Sequence, residues 1–207
     1  MIDVDHQISA VNRTVGSREL PAGEARVVTV AQRYPTTAED LWEACTQAER
    51  IVRWFLPVSG ELRLGGRYQL EGNAGGTVER CDPPHGFDAT WEFDGNVSWI
   101  EVRVRPDGDG ARLELTHIAH VDDKWSQFGP GAVGIGWDMS LVGLALHMAD
   151  PTAERPDGMA WMTSPDGIRF MTLSSDRWGA ADAASGTDQA DALARAKNTL
   201  AAYTGSE

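Results

Sequence analysis

The side chain best placed to do chemistry in this sequence is His117. It closes the run Ala111-Arg112-Leu113-Glu114-Leu115-Thr116-His117-Ile118. Strict alternation there reads as a β-strand, with Leu113, Leu115 and His117 on one face and Arg112, Glu114 and Thr116 on the other. An imidazole titrates near neutral pH, so on a dry face it can be a general base or a hydrogen-bond anchor for a bound molecule. It equally fits a neutral core histidine satisfied by a neighbour. His120 should face the other way, which argues against a paired-histidine metal site. His85 follows two prolines in a turn, and His147 lies near neither apolar stripe of its helix. Glu92 and Asp138 are the other carboxylates of interest. Glu92 falls on the charged face of its strand and Asp138 between helical stripes, so both read as solvated. No GxSxG, HExxH, P-loop or GxGxxG-with-acid pattern occurs. The reading therefore assigns no metal and no cofactor, and no catalytic residue except His117 if the protein is an enzyme.

Binding is better represented. Eight tryptophans are many for 207 residues, and an aromatic lining with few polar groups suits a hydrophobic ligand. The candidates for such a lining are Trp54, Phe55, Tyr68, Leu70, Trp91 and Phe93, then Leu113, Leu115 and His117. Val133, Trp137, Leu141 and Leu144 join them from a helix. A solidly packed core is the competing reading.

Several elements must position these residues. Residues 1–23 read as an arm with little periodicity, and regular structure is expected from the β-branched run at 25–32. Tyr34-Pro35 ends that strand. Thr36 or Thr37 caps a helix with Glu39 and Asp40 in its first turn, and a second short helix covers 47–54. Between 58 and 121 short runs separated by Gly, Pro and Asp-Gly turns suit an antiparallel meander. Phe87, Ala89, Trp91 and Phe93 alternate against Asp88, Thr90 and Glu92, and Tyr68 and Leu70 against Arg67, Gln69 and Glu71. Residues 131–148 read as a long helix with two apolar stripes. Val133, Trp137, Leu141, Leu144 and Met148 form one; Ile135, Met139, Val142 and Leu146 form the other. Two stripes require cover on both sides, from the rest of the chain or from a second subunit, hence the expectation of a homodimer. Gly129, Gly131, Gly134 and Gly136 loosen the start of this helix. A ligand, the rings of Trp54 and Trp91, or a gating motion would account for them. Ser164-Pro165 starts a further helix, and Thr187 caps the last one.

Composition excludes some classes. With a net charge of −13 and no basic cluster, the chain repels phosphate backbones, so nucleic-acid binding is not expected. No signal peptide is visible and no stretch reads as a membrane span, which gives a cytoplasmic expectation without membrane insertion. Cys45 and Cys81 lie far apart with no CxxC, as reduced thiols do.

The order of these elements resembles the helix-grip fold of the START/SRPBCC superfamily. Within it, the chain is similar to the branch homologous to the activator of heat-shock protein 90 ATPase. The residues that carry this include Pro35-Thr36-Thr37-Ala38-Glu39-Asp40-Leu41-Trp42, Arg53-Trp54-Phe55-Leu56-Pro57 and Leu64-Gly65-Gly66-Arg67-Tyr68. Others are Thr90-Trp91-Glu92-Phe93, Leu113-Glu114-Leu115-Thr116-His117 and Gly136-Trp137-Asp138-Met139-Ser140-Leu141. The match covers about 25–149. It implies an α+β fold, a curved antiparallel sheet wrapped around a long C-terminal-side helix, with two short helices after the first strand. The expected parts are an arm at 1–23, a helix-grip ligand-binding domain at 24–149 and a helical extension at 150–207. The extension packs on the long helix or on a partner subunit. The resemblance implies a cavity between sheet and long helix, and with the aromatic lining the expected function is binding, carriage or sensing of a small hydrophobic or amphipathic molecule. The alternatives are a cyclase, aromatase or hydrolase-like enzyme in the same cavity, or a stress-linked chaperone-interaction module.

Overall fold

A computed structural model describes residues 2–154 and 156–205 of the chain. Chain order begins α1 (Val4–Ala10), β1 (Val11–Leu20), β2 (Gly23–Tyr34), α2 (Ala38–Thr46), α3 (Ala48–Trp54) and β3 (Val58–Gly60). It continues β4 (Arg67–Leu70), β5 (Gly75–Asp82), β6 (Gly86–Phe93), β7 (Asn96–Asp107) and β8 (Gly110–His120). Five helices close it: α4 (Asp123–Phe128), α5 (Gly131–Ala149), α6 (Gly158–Met162), α7 (Pro165–Ala184) and α8 (Gln189–Thr204). The strands form one curved sheet in the order β1-β2-β8-β7-β6-β5-β4-β3. The chain divides into two compact units. One comprises the described parts of 1–30, 120–142 and 156–207, the other those of 31–119 and 143–155.

The second unit holds the meander. Every pairing from β3 to β8 is antiparallel. Opposed residues share a face, so the register Val104↔Leu113, Val102↔Leu115 and Ile100↔His117 builds one dry surface from two strands. Ala89↔Ile100 and Val78↔Ala89 extend it across β6 and β5. All of these side chains are buried. Gly76 is required where β5 meets β6, because a Cβ there would stand 2.0 Å from the Thr90 carbonyl oxygen. At the end of the unit, Thr37 caps α2 by accepting from the Asp40 N–H. Arg50 then ties α3 to α2 by donating to both the carbonyl and the carboxylate of Asp40.

The first unit departs from several readings of the sequence. The segment expected to be an arm is ordered as α1 and β1, with Val4, Ile8 and Val11 buried. Asp3 caps α1 through the His6 N–H. Asp138, expected to be solvated, is fully buried. Its Oδ2 accepts from Arg13 Nε at 2.8 Å, Ser174 Oγ at 2.5 Å and Trp178 Nε1 at 3.1 Å. Burial, acting against these three donors, raises its carboxyl above the usual range. Finally, glycines at the start of α5 pack against the C-terminal helices, neighbours that the sequence reading did not assign to them. A Cβ on Gly134 would lie 2.3 Å from the Trp178 ring, and one on Gly131 would lie 3.1 Å from Thr199. The C-terminal helices thus cover this stretch of α5, one of the two sources of cover that the sequence allowed. The cap of α8 is Asp188 rather than Thr187, whose hydroxyl instead binds Asp182.

By length and composition α5 could cross a membrane, which the sequence reading did not credit. Its buried aspartate and glycine-to-tryptophan contact mark it instead as a packed core helix.

Candidate functional site

On the dry face of the meander, His117 is 5% exposed. Its Nε2 lies 3.0 Å from Ser98 Oγ, and Ser98 in turn donates to the Trp91 carbonyl at 3.0 Å. A hydroxyl has one proton to give, so His117 must donate to Ser98; this assigns the Nε2–H tautomer, with the lone pair on Nδ1. The Trp91 ring meets the imidazole edge-on, with centroids 6.3 Å apart. Burial lowers the imidazole to about 4, so it is neutral at pH 7. Ser98 faces Trp91 across the β6–β7 ladder. It interrupts an inward row otherwise made of Ile100, Val102 and Val104. A lone serine in that row was the signal for this site, and the sequence reading passed over it.

Tyr68 lies opposite Gly76 and donates its hydroxyl to the Thr90 carbonyl at 2.7 Å. Burial first, then the nearby Glu92 carboxylate, push its phenol up. Glu92 accepts from Arg67 at 3.0 Å and Thr90 at 2.9 Å, which lowers its carboxyl. It stays on the charged side, as its alternation with Trp91 requires.

The thirteen residues expected to line a cavity therefore separate. Leu113, Leu115, His117 and Trp91 share the dry face through the ladder, and Tyr68 and Leu70 are buried in β4. Phe93 does not join them: it ends β6 beside the Asp94-Gly95 turn and is 53% exposed. The alternation was right, but the strand runs out before that ring is covered. Trp54 and Phe55 stack on each other at the end of α3, 5.5 Å apart, and Trp54 donates its indole N–H to Ala44. Gly143 of α5 packs on the Trp54 backbone, where a Cβ would lie 2.3 Å from its carbonyl oxygen. Leu144 is next along that helix and fully buried. Val133, Trp137 and Leu141 belong to the first unit. Among the described residues, no group of three His, Cys, Asp or Glu side chains could hold a metal ion. Cys45 and Cys81 are free thiols, and burial pushes Cys45 up to about 12, leaving it a poor nucleophile.

An antiparallel curved sheet, two short helices after β2 and one long helix after the meander define a helix-grip protein of the SRPBCC superfamily. The family model of Activator of Hsp90 ATPase homolog 1-like proteins matches residues 35–149, and the chain belongs to that family. CalU16 from Micromonospora echinospora is 35% identical over 86% of this chain and 99% of its own, with a TM-score of 0.68 for its crystal structure. Protein MLL2253 from Mesorhizobium loti is 20% identical over 62% of this chain and 99% of its own, at a TM-score of 0.54. DynU16, from the dynemicin biosynthetic locus, shares the fold at 18% identity over 63% of this chain and 50% of its own, with a TM-score of 0.55. No curated protein matches the chain.

Proposed function

We propose that this protein binds a small hydrophobic or amphipathic molecule on the dry face of its meander, with His117 as the polar anchor. The supporting observation is an imidazole kept neutral by burial within a surface of aliphatic and aromatic side chains. A neutral polar pair, His117 with Ser98, in an otherwise apolar wall fixes the orientation of a guest without demanding that it be charged. The same value argues against acid–base catalysis. A base works best with a pKa near the working pH, and an imidazole at about 4 is a weak one.

Native mass spectrometry of the protein purified from its own cells tests the reading by looking for a co-purifying small molecule. Titration with the neutral dye N-phenyl-1-naphthylamine gives a second measure, with a saturable, one-to-one rise in fluorescence expected. His117→Ala should weaken binding of the recovered molecule about tenfold, the worth of one hydrogen bond. Absence of both a co-purifying molecule and saturable dye binding would overturn the proposal. Turnover of the recovered molecule, abolished in His117→Ala, would replace it with an enzymatic role.

A further inference from the structure

A groove of about 490 Å³ lies between β1 and α7, within the first unit. One wall is four consecutive residues of β1, from Val11 to Thr14. The other is Arg177, Ala180 and Ala181, spaced i, i+3, i+4 and so on one face of α7. β1 ends the sheet order, and among the described residues β2 is the only strand hydrogen-bonded to it. A terminal strand turns N–H and C=O groups to its outer side, a template for another strand, although the Val11 carbonyl is already taken by Arg13.

Three further features make this edge a receptor rather than a frayed margin. Arg13 stiffens it from behind: its side chain is 4% exposed, and Nη1 donates to the Ile8 and Val11 carbonyls at 3.0 Å each while Nε holds Asp138. Its buried Nη2 has no partner among the described residues. The two alanines keep the helical wall low, where longer side chains would fill the space. Arg177 is exposed and makes no ion pair with any other described residue, although the chain carries a net charge of −13. A cation left unneutralised in so acidic a protein is available to an incoming carboxylate.

We propose that this groove takes an extended peptide segment, added to β1 as a further strand, with an acidic side chain or C-terminal carboxylate against Arg177. Four strand residues span about 13 Å, so a short segment suffices. The groove and the dry face of the meander are formed by different residues, and neither proposal depends on the other.

The test uses the full-length, isotope-labelled protein and the peptide acetyl-Thr-Val-Thr-Val-Thr-Asp with a free C-terminus. Amide shifts should be confined to β1 and α7. The same peptide ending in an amidated asparagine should bind about threefold more weakly, as expected for an exposed ion pair, and Arg177→Gln should remove that difference. A peptide N-methylated at both valines should not bind, because it cannot complete the ladder. Undiminished binding of the methylated peptide would overturn strand addition. So would the absence of shifts at β1, or shifts that sodium acetate alone reproduces.

Discussion

His117 takes up a proton near pH 6.5 in the unfolded chain but only at about 4 in the folded protein. Between those values the unfolded state binds more protons, so stability falls as pH falls. The loss begins below about pH 6.5, is complete below about 4 and amounts to about 3 kcal/mol. Urea unfolding at pH 7.5 and 4.5 should show this slope in the wild type and its reduction in His117→Gln. Equal slopes would mean that the imidazole is hydrated. At Asp138 the issue is pairing rather than protonation. Asp138→Asn leaves the Arg13 guanidinium buried without a counter-charge and should cost about 3–5 kcal/mol, read from the urea midpoint. Replacing Arg13 and Asp138 together by Met and Leu should recover much of that. The two residues differ in how far the sequence announced them. His117 was legible because strand alternation alone puts it on the dry face. Asp138 was not, because its cation comes from 125 residues away and helical periodicity says nothing of distant partners.

Elements with strong local signals emerged where the sequence placed them. Thr37 caps α2, Pro165 opens α7, and the meander follows its turn residues. The first two elements gave no such signal. α1 has seven residues, and β1 is a polar edge strand with Val11 as its one buried apolar residue. Periodicity needs longer, more buried segments to show itself. Glycine in α5 was visible, but its reason lay in a helix more than forty positions on. Gly134→Ala gains about 1 kcal/mol of helix propensity, yet drives a methyl group to 2.3 Å from the rigid Trp178 ring. Overpacking of that kind costs about 1–3 kcal/mol, so the variant should melt lower than the wild type. Gly136→Ala meets only the Tyr203 hydroxyl at 3.4 Å and should be neutral or stabilising. If both variants melt alike, the Trp178 contact is not the constraint.

For the whole molecule, the C-terminal extension acts as internal cover. Deleting residues 150–207 removes Ser174, Trp178 and Thr199, and with them the lining of Gly131, Gly134 and Asp138. The shortened protein should associate or precipitate, whereas the full chain should sediment as a monomer at micromolar concentration. A soluble, monomeric deletion variant would show that the cover is dispensable. The match expected from about residue 25 begins at 35 in the family model, whereas the fold class was readable because it rests on local order. The partnership of the N-terminal strand, α5 and α7 was not, because it joins three distant stretches through a single carboxylate. That arrangement carries an evolutionary constraint. The family match stops at residues 35 and 149, while the acid at 138 draws its neutralisation and its donors from beyond both ends. A homologue short enough to lack these flanks has to give an acid at that position other donors, leave it in water or replace it, so the tail and the residue at 138 are bound to change together.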